Sequence, residues 1–225
     1  MEKDEKASNN EDDNNLLTGT QVRFWLEDDG TPKYKVLGRM EQKKKFKFHV
    51  DLIEVLVETI QMYKLKELML YTEHKRKKQI FRGSPFYQGK PWMDWVMIDW
   101  GARGILPGQI WIFVDFRDIP GWSNDDRGIF ALCESANPVK SREEVRKSEL
   151  FEPFEKETKT RNGRVTRSFW VVDTESFYAP ACVIPDLGNI DDTRLLRLKP
   201  KSDWANDFST WLRTKPKKSN FPSIF

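Results

Sequence analysis

Two neighbouring segments in the middle of the chain are apolar on both alternating faces, and a strand of that kind must be covered from both sides. From Trp95 to Trp100, the residues Val96, Ile98 and Trp100 fall on one face, with Trp95 and Met97 on the other. From Gln109 to Phe116, Ile110, Ile112, Val114 and Phe116 share a face opposite Trp111 and Phe113. The connection between them, Gly101 to Gly108, reads as a glycine-rich loop. A chain of 225 residues with 15 Phe and 9 Trp has the length and the apolar side chains to bury such strands. That composition excludes a wholly disordered or coiled-coil chain.

Shorter segments fill in the same β-rich picture. Val22, Phe24 and Leu26 alternate before the turn signal Asp29-Gly30, and Tyr34 and Val36 alternate after it, so Gln21 to Leu37 reads as a hairpin. Leu68 to Tyr71, an exposed basic turn over Lys75-Arg76-Lys77-Lys78, and Ile80-Phe81 read as a strand, a turn and a returning strand. Gly128 to Glu134, Phe169 to Val172 and Tyr178 to Ile184 are further core strands. Asn162-Gly163 is the strongest hairpin signal, because a type I′ turn needs positive φ at both central residues. Its arms, Glu155 to Arg161 and Arg164 to Ser168, are polar almost throughout near the tip and should project into solvent.

Helical segments are few. Val50, Ile53, Leu56, Val57 and Ile60 form an apolar stripe over Val50 to Tyr63. Glu143 to Glu149 reads as a short surface helix, and Ser202 caps a helix in which Trp204, Phe208, Trp211 and Leu212 share a face. The expected fold class is therefore β-rich (α+β), a small barrel or partly open antiparallel sheet with two or three packed peripheral helices. The expected organisation is a disordered acidic tail over 1–18, an N-terminal hairpin and helix over 19–66, a β-rich core over 67–198, and a C-terminal helix with a basic tail over 199–225.

Compartment and partners are bounded by charge and cysteine content. Two cysteines, Cys133 and Cys182, fit a reducing compartment and are expected as small buried residues in apolar strands. The longest apolar runs fall well short of the ~20 residues of a membrane span, and the acidic start does not resemble a signal peptide. An intracellular protein without membrane contact is expected. The formal charge of +3 is too near balance to identify a partner, so the distribution of charge must do so.

Chemistry-bearing residues are sparse. Of the two histidines, His49 sits at a helix boundary, and His74, inside a cationic run, is expected to be exposed. Asp94, Asp99 and Asp115 are the best catalytic candidates, since carboxylates on adjacent strands can hold a divalent metal for phosphoryl chemistry. Asp94 and Asp99, however, are five apart and point to opposite faces of a regular strand. No catalytic residue, metal site or cofactor is expected, and a metal-dependent nuclease stands as the lesser alternative.

Cations, by contrast, are segregated. Four lysines lie between Lys43 and Lys47, and Lys75, Arg76, Lys77 and Lys78 are followed by Arg82. The Asn162-Gly163 hairpin carries Lys156, Lys159, Arg161, Arg164 and Arg167 against Glu157 alone. Such patches can neutralise phosphates, and a basic two-stranded ribbon has the shape of a groove-binding element. The plainer reading is that these charges merely solvate turns. The tryptophans are a second signal: Trp92 and Trp95 are the candidates for an aromatic pocket that holds a methylammonium group by cation–π attraction, against the plainer reading of core.

The order of segments from Trp95 to Asp186 resembles the bromo-adjacent homology domain. Trp95-Val-Met-Ile-Asp-Trp100 and Leu106-Pro-Gly-Gln-Ile110-Trp-Ile-Phe113 are similar to its opening strand pair, and Phe130-Ala-Leu-Cys133 to its next strand. Lys147-Ser-Glu-Leu-Phe151 is similar to its Asn-Glu-Leu-Phe segment, and Val172 to Ile184 to its closing segment. Ser148 stands where the family has Asn, and Ala179-Pro180 where it has glycine. The Trp100 to Ile110 stretch is also similar to the Pro-Trp-Trp-Pro reader module. The resemblance implies a noncatalytic, nuclear reader that binds a nucleosome, a histone tail or another protein; taken with the basic patches, the expected partner is DNA or a nucleosome. The alternative is a protein-interaction or structural subunit that touches no nucleic acid.

Overall fold

The computed structural model describes residues 15–37, 46–76, 79–87, 90–117, 128–139, 151–161, 163–185 and 194–198. The first hairpin forms as expected. Strand β1 (Asn15–Leu26) pairs antiparallel with β2 (Pro32–Leu37) in the register Val22↔Val36 and Phe24↔Tyr34. The alternating apolar residues of both arms thereby reach one face. The connecting turn closes through Gly30, at φ +80°, and through the Thr31 N–H, which donates to Asp29 Oδ1 at 2.8 Å. Because β1 begins at Asn15 and buries Leu17, the expected tail of 1–18 is too long at its C-terminal end. A partner strand with the register Leu17↔His74 orders those residues.

Helix α1 (Val50–Met62) follows, capped by His49, whose Nδ1 accepts from the Asp51 N–H at 3.2 Å. Its buried residues are Asp51, Leu52, Leu56, Thr59 and Ile60, while Val50 is 47% exposed. The inward face is therefore rotated from the stripe read in the sequence, and Thr59 is tolerated inside because its hydroxyl donates to the Val55 carbonyl at 2.7 Å. The helix ends in a Schellman arrangement: Lys64 at φ +52°, with Leu65 N–H donating to the Ile60 carbonyl and Lys64 N–H to that of Gln61.

The remaining elements are strands β3 (Glu67–Arg76), β4 (Gln79–Tyr87), β5 (Lys90–Met93), β6 (Trp95–Asp99), β7 (Ile105–Asp115), β8 (Ile129–Pro138), β9 (Phe151–Lys156), β10 (Thr158–Arg161), β11 (Arg164–Arg167), β12 (Phe169–Asp173), β13 (Phe177–Pro180), β14 (Val183–Pro185) and β15 (Arg194–Leu198). Short 3₁₀ turns occupy Gly101–Arg103 and Thr174–Ser176. The expected loop of 101–108 is thus only half a loop, since β7 already begins at Ile105 and buries Pro107 and Gly108. The expected strand of 178–184 is interrupted at Ala181-Cys182, which leaves Cys182 exposed whereas Cys133 is fully buried. The architecture is β-rich and antiparallel, with an open strand order rather than a closed barrel, and α1 is the one α-helix among the described residues. The expected helices at 143–149 and 203–212 lie outside the described residues.

The fold divides into two compact units, and both are discontinuous in sequence. The first is drawn from Met1–Asp94, Gln109–Cys133 and Phe169–Thr174, the second from Trp95–Gly108, Glu134–Ser168 and Glu175–Phe225. In the first, Val22, Phe24, Val36, Leu52 and Leu56 share a core with Leu68, Leu70, Ile112, Val114 and Phe116. The segment 19–66 is consequently part of that core and not an appendage to it, because the helix and hairpin supply the apolar cover that β3 and β7 require. Gly83 of β4 permits a close approach: a Cβ there would lie 2.8 Å from the Trp111 backbone carbon. In the second unit, Ala136, Phe154 and Leu195 form a smaller cluster with Trp95, Leu106 and Val183.

Candidate nucleic-acid interface

Strands β10 and β11 make a two-stranded sheet of their own, in the register Thr158↔Arg167, Lys159↔Thr166, Thr160↔Val165 and Arg161↔Arg164. The tip turn relies on Gly163 at φ +75°, where an L side chain is strained. Lys159, Arg164 and Val165 are exposed, Val165 to 66%. A ribbon whose one apolar side chain, Val165, is exposed has no apolar face to bury, so it is held at its root by charge and hydrogen bonds.

That root centres on Glu134 of β8, a carboxylate with a side chain only 1% exposed. Arg167 Nη1 lies 3.1 Å and 3.2 Å from its two oxygens, and Lys156 Nζ lies 3.4 Å from Oε2. One cation comes from each end of the hairpin, and two partners offset the desolvation of one buried acid. The adjacent Ser135, on the other face of β8, donates its hydroxyl to Glu157, and Arg103 Nη2 bridges Glu157 Oε2 at 3.0 Å and Asn137 Oδ1 at 2.9 Å. Main-chain bonds complete the anchor: Glu157 N–H donates to the Ser135 carbonyl at 2.9 Å, and Ser168 N–H to that of Glu157 at 3.1 Å.

Four of the predicted contact residues lie on the ribbon. Arg167 pairs with Glu134 and keeps 31% of its side chain exposed. Lys159 and Arg164 remain on the exposed ribbon with Arg161 as the register partner of Arg164. Lys75 is exposed, but Arg76 Nη1 donates to the Thr174 carbonyl at 2.9 Å and Arg82 Nε to Glu73 Oε1 at 3.2 Å. Lys77 and Lys78 lie outside the described residues, as do Lys43, Lys44 and Lys45.

Sequence context misplaced His74. Its side chain is fully buried, because Leu68, Leu70, Thr72 and His74 alternate inward along β3 whatever the charge of their neighbours. Its Nε2 donates to Asn15 Oδ1, and its ring meets Phe113 edge-on at 5.4 Å. Burial, aided by the nearby charges of Arg76 and Arg117, pulls its pKa down to about 4.

The two pocket candidates fall in different units. Trp92 donates from Nε1 to Asp94 Oδ1 at 2.9 Å, whereas Trp95 lies under the Lys156 ammonium, 5.9 Å from the ring centroid. Trp95 thus faces a cation of its own chain. Nearby Trp100, in the second unit, is covered by the Arg103 guanidinium at 5.4 Å and donates to the Leu106 carbonyl at 3.2 Å.

The three aspartates are each occupied locally. Burial raises the pKa of Asp94, opposed by bonds from the Arg82 N–H at 2.7 Å and from Trp92. Asp99 accepts from the Gly101 N–H at 2.9 Å. Burial also opposes ionisation of Asp115, but the bonds from Arg117, as close as 2.8 Å, prevail and hold its carboxyl below the usual range. Among the described residues no group of three His, Cys, Asp or Glu is placed to hold a metal ion, and no helix is long and apolar enough to cross a membrane.

Sequence reasoning missed Glu134 and Arg103. Glu134 had a readable signal, since an acid inside Ala131-Leu-Cys-Glu-Ser-Ala136 has to find cationic partners if that strand is buried. Arg103 had none, because its partners Asn137 and Glu157 are distant in sequence. No protein-family model matches the chain, and neither a curated protein nor a solved structure is significantly similar to it.

Proposed function

We propose that this protein is a noncatalytic DNA- or chromatin-binding module that contacts its partner through the β10–β11 ribbon. The observation that carries the reading is a cationic hairpin that pairs with no other strand among the described residues and is rooted on a buried carboxylate. The root stiffens an element that has no apolar packing of its own, as a contact arm requires. Phosphate neutralisation with counterion release is the interaction that suits its side chains. The resemblance of 95–186 to the bromo-adjacent homology domain supports the same class of partner and a nuclear location. Exposed Val165, Trp170 and Val171 favour the second reading, a protein-interaction subunit without nucleic acid.

The test is a shortened ribbon in which Thr158 to Thr166 are replaced by a two-residue Asn-Gly turn, leaving Lys156 and Arg167 on Glu134. Little buried apolar area is removed, so the melting temperature should stay within about 4 °C, the shift expected for ~1 kcal/mol in a chain of this size. Binding to duplex DNA or nucleosomes, read by fluorescence anisotropy, should fall at least tenfold. Intact affinity in the shortened protein would assign binding elsewhere. Capture of a protein partner by both forms, with no DNA affinity in either, would favour the second reading.

A further inference from the structure

The β1–β2 hairpin leaves an edge of the sheet open within the first unit. Strand β2 ends the strand order and pairs with β1 alone among the described residues. The turn fixes which of its main-chain groups face outward. Glu27 N–H donates to the Thr31 carbonyl at 3.0 Å, and bonded pairs recur at every second residue of an antiparallel ladder. Trp25↔Lys33, Arg23↔Lys35 and Gln21↔Leu37 are therefore the bonded pairs, and the N–H and C=O of Tyr34 and Val36 point away from β1. Pro32 shares their phase, which suits a residue without an N–H on an edge strand. Side chains sort by the same alternation. Val36 is buried and Tyr34 half-buried, its ring against Phe48 at 5.0 Å, whereas Lys33 and Lys35 are exposed on the opposite side.

We infer that the β2 edge takes up an extended segment of a partner protein, with alternating acidic and apolar residues, as one further antiparallel strand. This does not depend on the ribbon. Main-chain bonds from Tyr34 and Val36 supply the attachment, and side chains supply the choice of partner. On the new strand, apolar residues pair with Tyr34 and Val36, and an acid lies opposite Lys35 in a non-bonded pair, where side chains come closest. Lys35 has no ion pair among the described residues and lies opposite Arg23, a like charge that Glu67 balances in part through its bond from Arg23. An acid beside Lys35 balances the rest of that row. Lys33 lies 3.8 Å from Glu27, both side chains about half exposed, so a second acid can share it. A second copy of β2 is a poor occupant, because the antiparallel register that bonds Tyr34 to the other copy's Val36 sets Lys35 against its own counterpart. The lysines thus exclude self-pairing at this edge while admitting an acidic strand.

The experiment uses the full chain and fluorescein-labelled nine-residue peptides of alternating Glu and Val or alternating Lys and Val, with binding read by fluorescence anisotropy. Wild type should bind the Glu–Val peptide about tenfold or more tightly than the Lys–Val peptide, and K33E/K35E should reverse the order. Circular dichroism melting confirms that the variant is folded. On wild type, the Glu–Val peptide N-methylated at its Val residues should not bind, because those amides face β2, whereas methylation at its Glu residues should leave the affinity within about threefold. Amide hydrogen exchange at Tyr34 and Val36 should slow when the peptide is added, while the Lys33 and Lys35 amides, already bonded to β1, should not change. Absence of Glu–Val binding to wild type, an unreversed preference in K33E/K35E, equal loss from both methylations, or unchanged exchange at Tyr34 and Val36 would overturn the inference. So would concentration-dependent dimers in which those two amides are protected, which would give the edge to a second copy.

Discussion

His74 lies in a buried cross-strand row with Leu17 and Phe81, and its Nδ1 has no hydrogen-bond partner among the described residues. In the unfolded chain the imidazole has its ordinary pKa of about 6.5, against about 4 when folded. The unfolded state therefore binds the proton more readily, and stability falls as pH drops from about 6.5 to about 4, by roughly 3 kcal/mol from this group. The replacement His74→Leu removes that dependence. Urea unfolding at pH 7, 5.5 and 4.5 checks it: wild type minus variant should decline across the series, and a flat difference would show that the folded imidazole titrates normally. Asp94 works in the opposite sense, since its raised pKa makes its ionised form less stabilising as pH rises. What hid His74 in the sequence was the adjacent run of cations, whereas the phase set by Leu68 and Leu70 decided its side. Glu134 was hidden only by being read as the end of a strand.

At the scale of elements, the rotated face of α1 is open to a direct comparison. Leu56 is fully buried and Val50 nearly half exposed. Leu56→Ala should cost about 2–5 kcal/mol, as for other core truncations, and Val50→Ala less than about 1 kcal/mol. Equal costs in chemical denaturation would return the inward face to the stripe that includes Val50. The existence of this helix, of the first hairpin and of the ribbon was legible, because each is announced by local spacing or by a Gly-containing turn. The helix face was less so, because Asp51 and Thr59 are buried, Thr59 through a local hydrogen bond to the Val55 carbonyl that an apolar stripe does not advertise. The start of β7 was obscured by Pro107 and Gly108, which read as loop residues although both are buried within the strand.

For the whole molecule, the strand-rich class could be read from alternation alone, but the division into units could not. The chain passes from one unit to the other after Asp94, Gly108, Cys133, Ser168 and Thr174, and such crossings depend on pairings between residues far apart in sequence. β7 and β8 each supply residues to both units. Scanning calorimetry should accordingly give one endotherm with a calorimetric to van't Hoff enthalpy ratio near one. Two resolved transitions would mean that the shared strands can melt in halves.

The same crossings set a timetable for biosynthesis. The first unit needs Phe169–Thr174, so it stays unfinished while the 80 residues after Asp94 are added. At 5–20 residues per second that wait lasts roughly 4–16 s. Throughout it the first unit's core lacks Phe169, whose ring meets that of Trp111 edge-on at 5.2 Å. Slow codons placed before position 169 would lengthen that interval.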